Sequence, residues 1–151
     1  MSTTPSSDAT PVPPRPTSAG PGRALVAVYG VLALAASARS GVQILTDWAA
    51  APLAYALSGL SAVVYVLATV ALARGAGRWR AIAWLAVGTE MIGVLAVGSL
   101  SVLRPELFPD ATVWSDFGLG YGLVPLVLPV LGLLWLRRTR PQAPPVPSAA
   151  G

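Results

Sequence analysis

The sequence predicts an all-α fold: a polytopic membrane protein built as an antiparallel four-transmembrane-helix bundle with disordered, proline-rich tails. Three observations predict it. The 151 residues are 54% hydrophobic and only 11% charged, where a soluble domain carries about a quarter charged residues. The mean hydropathy is +0.66. Four apolar runs, at about 24–46, 52–73, 80–103 and 117–136, are each long enough to cross roughly 30 Å of hydrocarbon at 1.5 Å per residue.

The first 22 residues hold Pro5, Pro11, Pro13, Pro14, Pro16 and Pro21 among serines, threonines and glycines. Such a stretch has too little apolar surface to fold and reads as a disordered cytoplasmic tail. Residues 139–151, ending "RPQAPPVPSAAG", form a second tail of the same kind. Between the tails, residues 23–138 make one transmembrane domain. Lipid cannot satisfy free backbone groups, so each span must be a helix. The connections at Asp47–Ala51 and "ARGAGRWR" are short, which makes neighbouring spans antiparallel.

"RALVAVYGVLALAASA" also resembles a secretory signal, with a small-x-small ending at Ala36 and Ala38. The apolar pattern runs on to Leu45, however, so an uncleaved first span is expected.

All ten basic residues are arginine; there is no lysine, histidine or cysteine. Zinc sites of histidine and cysteine, thiol nucleophiles, Schiff-base lysines, serine–histidine pairs and disulfides are thereby excluded. No cofactor is expected. The net charge of +4 does not indicate nucleic-acid binding, because the arginines flank apolar runs instead of forming one basic face. Arg15, Arg23, Arg74, Arg78, Arg80, Arg137, Arg138 and Arg140 fall on one side of the expected membrane. Arg104 falls on the other, beside Asp47, Glu106, Asp110 and Asp116. The positive-inside rule then places both termini in the cytoplasm and the protein in the plasma membrane. Trp48, Trp79, Trp114, Phe117 and Trp135 lie near the expected span ends, as in an interfacial aromatic belt.

Inside the spans two charged residues stand out, Arg39 in the first and Glu90 in the third. Intramembrane charges face the protein interior and pair with one another or with backbone carbonyls. The expectation is an Arg39–Glu90 ion pair. Arg39 shares a helix face with Gln43 and Thr46; Ser58, Ser61, Tyr65 and Thr69 form a stripe on the second span. Glu90 lies among Ala83, Ala86 and Gly93, small residues that let helices approach closely. Arg39, Gln43, Ser58, Tyr65, Glu90 and Tyr121 therefore form the candidate buried polar site, with Tyr55 at similar depth. Its function is open between a structural pair that fixes which helices meet and a proton relay or ligand anchor.

The fourth span carries Pro125 and Pro129 one turn apart, which predicts a kinked or loosened helix. The preceding "LRPELFPDATVWSDFG" reads as a loop or short helix folded onto the membrane surface, a lid or a docking face.

"VYGVLALAASARSGVQI", "APLAYALSGLSAVVYVLATVAL" and "FPDATVWSDFGLGYGLVPLVLPVLGLLWL" resemble the small four-span integral membrane proteins of actinobacteria. The resemblance covers residues 23–138 and implies the four-span topology. It implies no activity and no catalytic residues.

Three functions compete. The first is a non-enzymatic envelope protein, an accessory subunit whose partners are the bilayer and a membrane protein or a second copy of the chain. The second is a small proton-coupled transporter using Glu90. Small multidrug transporters also have four spans and an embedded glutamate, but theirs lies in the first helix. The third is an enzyme on lipid or quinone, with Arg39 on an anionic head group and Glu90 or Tyr121 handling protons. No spacing motif supports the third. An intramembrane aspartyl protease is excluded, because Asp47, Asp110 and Asp116 all lie outside the spans.

Overall fold

The computed structural model describes residues 20–139, so the two expected tails lie outside the described residues apart from Gly20–Gly22 and Thr139. The described chain is helical throughout its regular elements: α1 (Pro21–Asp47), α2 (Pro52–Arg74), α3 (Arg78–Leu103), two short 3₁₀ helices (Pro105–Leu107 and Ser115–Tyr121), and α4 (Val124–Arg138). The boundaries follow from proline and glycine. Pro21, Pro52 and Pro125 occupy first turns, where the missing N–H has no partner to lose. Gly75 closes α2 in the left-handed conformation (φ 64°), its N–H donating to the Ala71 carbonyl. Two residues later Gly77 (φ 56°) starts α3. A turn this tight folds α3 back along α2.

α1, α2 and α3 are each long and apolar enough to cross a membrane. At 1.5 Å per residue they extend about 34–40 Å, against roughly 30 Å of hydrocarbon. Packing reverses the order of a soluble protein. The buried faces are lined by small residues such as Ala36, Ala54, Ala68, Ala71 and Ala83, all at or below 1% exposure. Large side chains point outward, with Leu34, Leu45, Leu85 and Ile92 between 70% and 86% exposed. Water would reject such a surface, whereas lipid matches it and close backbone approach supplies the packing. α1 packs along α2, α2 along α3 and α3 along α4, while α4 touches α1 only sparsely.

The fourth apolar run departs from its expected form. No continuous helix covers 117–136: α4 begins at Val124 and the preceding 3₁₀ segment is bent from it by 100°. Only if that bent pair is one broken span do the described residues hold a fourth membrane-crossing element. The cause is local backbone handedness. Asp116, Phe117 and Gly118 have φ of 50°, 58° and 79°, and Leu123 has 61°. Non-glycine residues in this region are strained by about 1–3 kcal/mol each and persist only where neighbours fix them. Here the Asp116 N–H donates to Ser101 Oγ at 2.8 Å. Phe117 also lies against Gly98, and Pro125 against Gly118. The break therefore precedes both prolines, with Pro129 inside α4 and Pro125 in its first turn.

The connection between α3 and α4, called the outer connection after its expected side, holds the two short 3₁₀ helices, and part of it is buried instead of lying on a surface. Phe108, Val113 and Trp114 are 9%, 1% and 1% exposed, so Phe108 and residues 112–115 pack into one end of the helices while Pro105–Leu107 and Leu119 stay exposed. Trp114 does not belong to an interfacial belt, while Trp48, 48% exposed, has the exposure such a position requires.

Candidate functional site

Glu90 is the centre of the buried polar set. It is fully buried on α3, and its Oε2 accepts a hydrogen bond from the Tyr29 hydroxyl of α1 at 2.6 Å. Its other oxygen, Oε1, is buried with no hydrogen-bond partner. The Tyr65 hydroxyl of α2 stands beside the same carboxyl group. That hydroxyl accepts from the Trp114 indole N–H at 3.0 Å. The Tyr29 and Tyr65 rings are 6.3 Å apart at 48°. A β-carbon on Gly132 of α4 would come within 3.2 Å of the Tyr29 hydroxyl. Every long helix thus contributes to the walls around one carboxyl group, and Trp114 covers it from the outer connection.

The expected Arg39–Glu90 ion pair is not formed. An ion pair within 4 Å does form between Arg104 and Glu106, at 3.2 Å and between exposed side chains. Depth explains the difference. α1 and α3 run the same way. Arg39 is about 27 Å from the Pro21 end, and Glu90 about 18 Å from the equivalent Arg78 end, at 1.5 Å per residue. An arginine at that level reaches outward to polar surroundings more readily than inward. Its Nη2 donates to the Ala111 carbonyl at 2.9 Å, while Nε is buried without a partner. Tyr29, on the other side of Glu90's level, takes the carboxyl group instead.

The remaining candidates divide between two places. Tyr65 joins the Glu90 cluster, and Tyr121, half-buried, lies within electrostatic reach of Tyr65. Gln43 and Ser58 do not enter that hydrogen-bonded set. Gln43 Oε1 and Ser58 Oγ are both buried without a hydrogen-bond partner. Tyr55, buried at the start of α2, donates to Asp110, so Tyr55 and Arg39 both fasten the outer connection to the helices. Within that connection Thr112 and Ser115 bond one another's side chains and backbone. Tyr29 and Trp114 were not among the candidates. Tyr29 carries a weak signal, a lone phenol at the sixth residue of an apolar run; Trp114 carries none beyond its closeness to a span end.

Among the described residues no group of three or more acids is placed to hold a metal ion. Comparison of the chain with protein-family models, curated proteins and solved structures finds no match.

The outer fastening yields a prediction. Arg39→Gln removes the donor to Ala111, and because Arg39 is half-exposed the expected loss is about 1 kcal/mol. Hydrogen exchange of 105–114 in detergent should accelerate while that of α2 stays unchanged. Unaltered exchange in 105–114 would show that Arg39 does not hold the segment.

Proposed function

We propose that the chain is a non-enzymatic integral membrane protein of the cell envelope, a four-helix bundle with its arginine-bearing end in the cytoplasm, serving as an accessory or partner subunit. The observation that carries this reading is where the buried polar groups are used. Tyr29–Glu90 ties α1 to α3, Trp114–Tyr65 ties the outer connection to α2, and Arg39 and Tyr55 tie it again at Ala111 and Asp110. Groups committed to joining helices act as a polar clasp, and such contacts are worth about 0.6 kcal/mol each on average in membrane proteins. The topology rests on the arginine asymmetry, and the four-span resemblance agrees with it.

A second reading, proton-coupled transport through Glu90, is favoured by one specific observation: Oε1 is buried and unpartnered, a position from which a carboxyl group can exchange a partner. One experiment separates the two. Wild type, Tyr29→Phe, Glu90→Gln and the double variant are reconstituted in vesicles, and unfolding and proton flux are measured on each. The clasp predicts losses of up to about 1.7 kcal/mol in the single variants, non-additive in the double, with proton flux equal to protein-free vesicles. Flux present in wild type and abolished in Glu90→Gln would replace the clasp with the transporter. Purification in mild detergent as a stable monomer without an associated protein would remove the accessory role.

A further inference from the structure

Because α4 starts late and docks on α3, it leaves α1 at a distance over much of its length. Between them runs a groove of about 710 Å³. Its walls are almost wholly apolar, including Leu25 and Val28 of α1 and Val127, Leu131 and Trp135 of α4. Val28, Val127 and Leu131 are 38–51% exposed, so the groove opens sideways toward lipid. One end is different in character. Arg138 lines the groove beside Pro21. Arg23 and Arg137, both exposed, lie within three residues of these two. Arg80 reaches across from α3 to the Leu136 carbonyl, bringing the α2–α3 turn with Arg74 and Arg78 to the same end. The acids among the described residues lie elsewhere: Asp47, Glu106, Asp110 and Asp116 at the opposite end, and Glu90 inside.

We propose that this groove is a binding site for one anionic phospholipid of the surrounding bilayer, an acyl chain lying between α1 and α4 and the phosphate-bearing head group held by Arg138 with Arg23. Two independent features select this occupant. The volume falls in the range of built ligand sites, roughly 300–1,000 Å³, and α4 extends about 22 Å at 1.5 Å per residue, enough for a chain that crosses one leaflet. Charge decides the head group: a zwitterionic lipid gains little from a cluster of one sign, whereas basic pockets between transmembrane helices select anionic head groups. A second copy of the chain would bring the same arginines to the same end and meet repulsion there.

The test uses the tryptophan already in the groove. The full chain is reconstituted in phosphatidylcholine vesicles into which brominated phosphatidylglycerol or brominated phosphatidylcholine is titrated, and fluorescence quenching is read. The expected result is a roughly fivefold preference for the anionic lipid per arginine engaged. Trp135→Phe should remove the selective part of the quenching. Arg138→Gln should cut the preference about fivefold, Arg138→Gln combined with Arg23→Gln should abolish it, and Arg138→Lys should keep most of it. Equal quenching by both lipids, or a preference unchanged in Arg138→Gln, overturns the proposal. Quenching at the outward Trp48 but none at Trp135 overturns it too, because the groove is then filled by protein. Absence of quenching at Trp48 as well would refute bilayer placement itself, a different failure.

Discussion

Trp114→Ala is expected to lower stability by about 3–5 kcal/mol, the range for removing a fully buried large aromatic. Trp114 is 1% exposed, although it belongs to the connection after α3 and not to a long helix. Two contacts hold it. Its indole N–H donates to the Tyr65 hydroxyl at 3.0 Å, and its ring sits where a β-carbon on residue 93 would stand. Truncation leaves a cavity over Glu90 that the anchored ends of the connection cannot close, since Arg39, Tyr55 and Ser101 hold it from different helices. Trp114→Phe retains most of the apolar volume and loses the hydrogen bond, so it should cost only about 1 kcal/mol of that bond plus a smaller cavity. Thermal unfolding in detergent measures both. A second readout tests the covering role: a water-soluble carbodiimide should label Glu90 readily in Trp114→Ala and slowly in wild type. Loss of less than 1 kcal/mol, with unchanged labelling, would show that the connection does not close the polar centre.

The contrast between what the residues announce and what they hide has physical causes. The apolar runs at 24–46, 52–73 and 80–103 sit within α1, α2 and α3 because length and apolarity in lipid leave the backbone no alternative to a helix. The run at 117–136 is as apolar, yet its first part is not α-helical, because hydropathy carries no information about backbone handedness. Gly118 and Gly122 were the legible hint, since both take positive φ in the structure. The positive φ at Phe117 and Leu123 could not be read, being imposed by packing against Gly98 and the start of α4. Glu90 was legible as the centre because a carboxyl group within lipid has to be enclosed. Its partner was not. Opposite charge suggested Arg39, but the level along the helix decides, and the donor nearer to Glu90's level is the Tyr29 phenol. Gln43, half-buried, and Ser58, fully buried, each keep a side-chain oxygen enclosed without a hydrogen-bond partner.

Gly93 gives the sharpest test of how the polar centre is closed, because the sign of its substitution should depend on a residue distant in the chain. It lies three residues after Glu90, on the same face of α3. A β-carbon there would be 2.7 Å from the Trp114 ring, inside van der Waals contact. The ring cannot withdraw freely, since its indole nitrogen is held by Tyr65. Gly93→Ala should therefore lower stability by about 1–3 kcal/mol through overpacking. In the Trp114→Ala background the obstruction is gone and only the intrinsic preference of a helix for alanine remains, worth up to about 1 kcal/mol. There the same substitution should be neutral or stabilising. The coupling between the two sites is then about 2 kcal/mol, as expected for residues in direct contact. Equal losses in both backgrounds would mean that Trp114 does not rest on Gly93. Sign reversal would identify the small residue beside Glu90 as the seat of its cover, which explains why a helix-disfavouring glycine stands one turn from the buried carboxyl group.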